Sequence, residues 1–219
     1  MMSATQVTTR TAAETGAGSP RLPEWAIMYA LHDAFRRDLD ALLDTSARPA
    51  IVRARWAVFR GQLRLHHIAE DRVMWPPARA RLAGDPDGLA LLDVMEDEHL
   101  LIDPLLTAVD DAVSGDVGYV RLTALLAELR TTLVSHLAHE EAEVLPLVSR
   151  ALGPAGVAGI FAELGKMGGW KLGAAMFPWA LSGTSAQTQA QVLGQLPATA
   201  RLLYRTVWFP RYRRMIPSL

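Results

Sequence analysis

The chain carries one pattern twice: His66-His67-Ile68-Ala69-Glu70-Asp71 running on to Pro76, and His136-Leu137-Ala138-His139-Glu140-Glu141 running on to Pro146, at a constant offset of 70 residues. On an α-helix, residues four apart lie on one face, one turn above the other, so a His and a Glu at that spacing can reach a single point beside the helix. Two such helices face to face can hold metal between them. Imidazole nitrogen with a carboxylate able to bridge is the ligand mixture expected of iron, manganese or zinc.

The surrounding sequence supplies the helices. Helix one is expected from Pro23-Glu24 to about Leu43, with Trp25, Met28, Leu31, Phe35, Leu39 and Leu42 as its apolar stripe and His32 within it. Helix two, about Pro49 to Arg81, places Val52, Trp56, Phe59, Leu63, His66, Glu70 and Val73 in steps of three and four, so two polar residues take positions otherwise kept for core. Burying a carboxylate in that way is costly unless it is paired or coordinated. Pro76 and Pro77 are expected to end or kink that helix, and Gly84-Asp85-Pro86-Asp87-Gly88 to form a turn. Helix three runs through Leu92, Met95, His99, Ile102, Leu106, Val109 and Val113, with Asp103 on roughly the side of His99 and a kink expected at Pro104. After the turn at Ser114–Gly118, helix four, about Tyr119 to Leu152, carries Leu122, Leu126, Leu129, Leu133, His136, Glu140 and Leu147. The inward polar groups are then His32, His66, Glu70, His99, His136 and Glu140: four imidazoles and two carboxylates, enough for two metals bridged by the carboxylates with positions left open. His67 and His139 read as surface or neighbouring residues rather than ligands.

Four amphipathic helices on short turns predict an all-α fold, an antiparallel up-down four-helix bundle with an additional helical, basic C-terminal tail. The expected division is a disordered leader over residues 1–22, the bundle over 23–153, and a Trp-rich extension over 154–219. Charge marks a boundary near residue 164: all 23 acids and 15 of the 22 Lys and Arg lie at or before Glu163, giving −8 there against +7 after it. The sequence holds no cysteine, which excludes disulfides, iron–sulfur clusters and thiolate metal sites and fits a reducing cytoplasm. No apolar run is expected to reach the roughly 20 residues of a membrane span, and the first residues lack the apolar segment of a secretory signal.

With these residues assembled, the chain resembles the hemerythrin-like HHE cation-binding family, whose pattern is H on helix one, HxxxE on helix two, H on helix three and HxxxE on helix four. Residues 24–152 match it at every ligand position. The resemblance implies a non-haem di-iron centre, two iron ions bridged by oxo or hydroxo, that meets O2, peroxide or nitric oxide. It implies His32, His66, His99 and His136 as terminal ligands with Glu70 and Glu140 bridging. The oxygen-carrying members have a second histidine on helix three, where Asp103 stands here, and an HxxxxD on helix four, a spacing that Glu141 satisfies. Asp103 and Glu141 are therefore lesser candidates. One histidine fewer would leave iron open to exchangeable ligands, favouring turnover of an oxidant over reversible O2 carriage.

The expected function is thus that of a redox protein with catalase/peroxidase-like or NO/O2-reductase-like activity. The alternative is an iron- or O2-sensing module without turnover, and a third reading is a helical interaction protein with a vestigial site. In the tail, a helix is expected from Pro197 to about Trp208. Its positive charge is expected to dock on the negative bundle, burying Trp170, Trp179 and Trp208. The tail's other reading is peripheral contact with an acidic membrane surface; no recognised motif supports nucleic acid as a partner.

Overall fold

The apolar stripes pair off around a single axis. The computed structural model describes residues 21–44, 48–115 and 118–215, and among them every regular element is helical. The leader expected before residue 21, and Asp116 and Val117 of the turn after helix three, lie outside the described residues. Arg21 and Leu22, read as leader, are tied to the bundle: both Arg21 guanidinium nitrogens donate to Asp33 at 2.6 Å, and Leu22 N–H donates to the Tyr29 hydroxyl at 3.2 Å.

A short 3-10 turn, Pro23–Trp25, leads into α1 (Ala26–Asp44). The second arm is α2 (Pro49–Ala69), a π-turn (Glu70–Met74) and α3 (Trp75–Arg81). The third is α4 (Pro86–Ser114), capped by the Asp85 carboxylate accepting from Gly88 N–H at 3.0 Å. The fourth is α5 (Tyr119–His139), a π-turn (Glu140–Val144) and α6 (Leu145–Leu181). Cross-contacts run in opposite order along neighbouring arms. Trp56 meets Asp110 while His67 stacks on His99, and Asp40 meets Arg130 while His32 meets Glu140, so α2 is antiparallel to α4 and α1 to α5.

Pro76 and Pro77 do not end the second arm, which runs to Arg81 as the sequence predicts; of the two outcomes expected there, an end or a kink, the irregularity takes the form of a π-turn just before the prolines. Each π-turn closes with an N–H one residue further along the chain, Trp75 to Glu70 O and Leu145 to Glu140 O, and Pro76 and Pro146 follow in the next turn. A proline has no N–H to leave unpaired, so a widened turn just before it accommodates the ring without breaking the helix. Both π-turns begin at the glutamate of a His-x-x-x-Glu pair.

Two apolar cores fill the bundle. One is built on Phe35, Leu39, Phe59, Leu63, Ile102, Leu129 and Leu133, the other on Trp25, Met74, Trp75, Met95, Val144 and Leu145. Each such side chain contributes about 1.5–3 kcal/mol on burial. In every arm the inward polar residues fall between the segments that build the two cores, so they form one layer across the bundle.

The extension packs on the bundle. At Gly153 the backbone turns to φ 66°, a conformation that favours glycine, and it does so again at Gly169 with φ 54°, so α6 bends twice. Its final segment returns to α1, where Trp179, 1% exposed, packs on Phe35 at 5.0 Å and donates from Nε1 to Asp38 Oδ2 at 2.6 Å. Arg37 of α1 donates to the carbonyls of Ser182 and Trp179 at 2.6 and 3.2 Å. The chain continues as α7 (Ala186–Gly194), α8 (Ala198–Leu203), a third π-turn (Tyr204–Trp208) and α9 (Phe209–Met215), and Tyr204 and Trp208 pack against Ala26, Ile27 and Ala30. The expected tail helix therefore starts in the right place but runs beyond Trp208.

Docking combines apolar burial with these hydrogen bonds and not with opposite charges: among the described residues no ion pair joins a tail Lys or Arg to a bundle carboxylate, and the arginine at the seam belongs to the bundle. Trp179 and Trp208 are buried as expected, whereas Trp170 is 67% exposed. One stretch corrects the expectation about apolar runs. Within Tyr119–Leu181 an 18-residue window reaches a mean hydropathy of 1.5, long and apolar enough by composition to cross a membrane, with 33% of it buried.

Candidate metal centre

The layer between the two cores holds seven buried polar side chains: His32 from α1, His66, His67 and Glu70 from the second arm, His99 from α4, and His136 and Glu140 from the fourth. They sort into two groups of four whose potential ligand atoms all lie within 4.8 Å of one another: His32, His66, Glu70 and Glu140, and His67, Glu70, His99 and His136. Glu70 belongs to both. Donors about 2.1 Å from one ion sit no more than about 4.2 Å apart, so shifts of a few tenths of an ångström would close either group on a cation.

The donor atoms themselves point the same way. The Nε2 atoms of all five histidines, and both carboxylate oxygens of Glu70 and of Glu140, are buried without a hydrogen-bond partner. Several lie close to each other, His66 Nε2 at 2.9 Å and His99 Nε2 at 3.3 Å from Glu70, and His32 Nε2 at 3.1 Å from Glu140, but none is aligned as a hydrogen bond. An unsatisfied buried polar group costs about 1–3 kcal/mol. Nine of them, even discounted for these ionic contacts, would rival the roughly 5–15 kcal/mol by which a domain of this kind is stable. The donor set fits a cation, and two groups sharing a carboxylate fit a pair.

The opposite edges of the rings are held by carboxylates. Glu141 accepts from His32 Nδ1 at 2.9 Å and from Arg36 Nη1 at 2.7 Å, Asp71 accepts from His99 Nδ1 at 3.2 Å, and Glu98 accepts from His136 Nδ1 and His139 Nδ1, both at 2.8 Å. An imidazole that donates from Nδ1 presents a lone pair at Nε2, the arrangement that orients metal-binding histidines. The repeat shows its logic here. In each copy the first acid turns inward, Glu70 or Glu140, and the next one turns outward to hold a histidine of a neighbouring helix.

These contacts shift the titrations. Burial opposes charge on His32, but Glu140 and Glu141 outweigh it and raise the ring to about 9. Burial likewise opposes charge on His99, and Asp71 and Glu70 raise it to about 10. Burial, then the nearby charge of His99, presses His67 well below its ordinary value, and burial lowers His136. Burial would raise Glu70, yet His66 and His99 hold it well below the usual carboxylate range. Glu141, against its own burial, is brought to about 2 by His32 and Arg36. Without metal, protons on His32 and His99 thus hold the positive charge that the carboxylates demand.

Of the sequence candidates, His32, His66, Glu70, His99, His136 and Glu140 are brought together. Glu141 lies against His32 and Arg36 at the edge of the layer, and Asp103 is exposed on α4, outside both groups. His139 lies beside Glu98, 28% exposed. Sequence reasoning missed His67, which is 7% exposed and stacks on His99 at 3.9 Å with 14° between the rings. A cluster one histidine short was expected; His67 brings a fifth imidazole. It also missed Asp71 and Glu98 as holders of the rings. Phe59, Leu63 and His67 lie on one i+4 row, a signal that could have found His67.

Residues 25–148 match the family model described as the hemerythrin HHE cation-binding domain. No curated protein and no solved structure matches the chain.

Proposed function

Because the chain belongs to the hemerythrin HHE cation-binding domain family, we propose that its polar layer holds two iron ions and that this pair binds and turns over a small oxidant: peroxide, O2 or NO. The observation that carries the reading is the pair of four-residue groups sharing Glu70. His32, His66 and Glu140 would hold one ion, His99 and His136 the other, with Glu70 between them. Imidazole with carboxylate suits iron. Iron bound there would supply electrons and Lewis acidity.

The protein's own part is placement. Glu141, Asp71 and Glu98 fix ring orientation, and Phe35, Leu63, Met95 and Val144 keep the surroundings dry. Nine inward donor atoms do not fill the roughly twelve positions of two six-coordinate ions, so exchangeable positions remain for a small molecule. Cytoplasmic residence, the reading the cysteine-free sequence carries, belongs to the same proposal.

Anaerobic iron titration followed by peroxide tests it. Sustained O2 evolution or consumption of a reductant is expected; iron uptake without either would reject turnover. A stable spectrum with altered protease sensitivity would favour the sensing alternative. One observation supports that alternative: Phe35 touches both His66, at 5.2 Å, and Trp179 of the extension, at 5.0 Å, and so links the polar layer to the tail. The tail also presents exposed Met167 and Trp170 near Lys166 and Lys171, which supports contact with an anionic membrane surface. Salt-sensitive sedimentation with anionic vesicles would show such contact, and its absence would remove that reading.

A further inference from the structure

We infer that His67 is itself a metal ligand, bonding through Nε2 the ion that His99 and His136 also hold, so that adjacent residues of one helix serve two different ions. The inference rests on the di-metal reading above and adds to it an unequal pair: three imidazoles on one ion, two on the other.

Adjacent residues on a helix point about 100° apart, too far to share one ion but suited to two ions lying side by side. The second arm sits between α1 and α4, and its two histidines divide between them. His66 meets His32 of α1 edge-on at 5.0 Å, whereas His67 lies flat on His99 of α4 at 3.9 Å. Glu70, three and four residues on, is within reach of both and is the residue the two groups share. His67 Nε2 is buried and makes no hydrogen bond, and it lies within 4.8 Å of the donor atoms of Glu70, His99 and His136.

Stacking alone does not account for an imidazole at this position. A ring present only to pack on His99 could be apolar, and burying Nε2 without a partner would weaken the fold for nothing. Asp103, one turn beyond His99 on α4, is exposed and offers this ion nothing, so the third nitrogen comes from across the helix interface instead.

His67→Phe separates the two roles, since phenylalanine keeps a flat ring of similar size against His99 and removes the lone pair. The full chain and the variant are loaded anaerobically with ferrous iron, desalted, and compared for iron per chain, for affinity by chelator competition, and for nitrogen ligands per iron by X-ray absorption. Circular dichroism and melting of the metal-free proteins provide the control for folding. Expected are two irons in the unaltered chain, and in His67→Phe an unchanged metal-free helix content, one iron held as before and the second at least tenfold weaker, with fewer nitrogens per iron. If His67→Phe keeps both irons within twofold of the original affinity, His67 is a packing residue and the inference falls while the di-iron reading stands. If the unaltered chain takes up no iron, both fall. Should the phenylalanine fail to fold, His67→Ala with added imidazole replaces it: restoration of the second iron by imidazole supports the inference, and its absence overturns it.

Discussion

Removing the Glu98 carboxylate tests whether the outer acids are what make these histidines ligands. Glu98 accepts from two rings at 2.8 Å, His136 Nδ1 and His139 Nδ1, and its side chain is 25% exposed. The two rings differ in what they can do without it. The His139 side chain is 28% exposed and can turn to water, but that of His136 is 1% exposed, so in Glu98→Ala its Nδ1–H loses this partner inside the bundle. The ring then gains by moving the proton to Nε2 or by rotating, and either change withdraws the lone pair from the ion. Loss of such a supporting group typically weakens metal binding 10–100-fold, about 1.4–2.7 kcal/mol. The loss should fall on the ion that His136 holds and leave the other within about twofold. Glu98→Gln, which keeps one neutral acceptor for His136, should lie between the two. Chelator competition on anaerobically loaded protein measures this, with Glu96→Ala as the surface control, since Glu96 pairs only with Arg79 at 2.9 Å among the described residues. If Glu98→Ala and Glu96→Ala bind both ions alike, the outer carboxylates do not set the ligand geometry and the reasoning fails.

Glu70→Gln should weaken both ions by more than Glu98→Ala does, because Glu70 is common to both groups, whereas Glu140→Gln should weaken chiefly one; equal effects in stepwise titration would deny the shared role. In the metal-free protein, the raised titrations of His32 and His99 contribute stability that is full below about 6.5 and is lost as pH climbs through about 9 and about 10. A cation replaces those protons, so iron uptake should release protons and tighten from pH 7 to pH 9; a flat or reversed slope in competition assays would contradict this. Trp179→Ala should cost about 3–5 kcal/mol, since it opens a cavity beside Phe35 and leaves Asp38 without its indole partner. Melting should fall by about 6–20 °C. An unchanged melting temperature would mean that the extension does not stabilise the bundle.

The stripes of Leu92 to Val109 and of Leu122 to Leu133 were legible because burial on one helix face leaves a period of three and four, and six of the seven inward polar residues stood in that rhythm. His67 was not, because a stripe drawn through His66 assumes that a helix buries one narrow face. The second arm is wedged between two neighbours and buries a wider one. The π-turns escaped for a different reason: hydrogen-bond register leaves no composition signal, and Pro76 reads only as a stop or a kink. Asp71 looked like an ordinary exposed acid and Glu141 like a lesser ligand candidate, since the histidines they hold come from other helices. Charge predicted that the tail would dock and gave the wrong mechanism. The contact is made by Trp179, Tyr204 and Trp208, and its arginine, Arg37, lies on the bundle side.

The most direct test is anomalous X-ray diffraction at the iron edge from crystals of the iron-loaded chain. Two peaks about 3.5–4 Å apart are expected, one among His32, His66 and Glu140, the other among His67, His99 and His136, with Glu70 between them. A single peak, or none within this layer, would contradict the di-iron account.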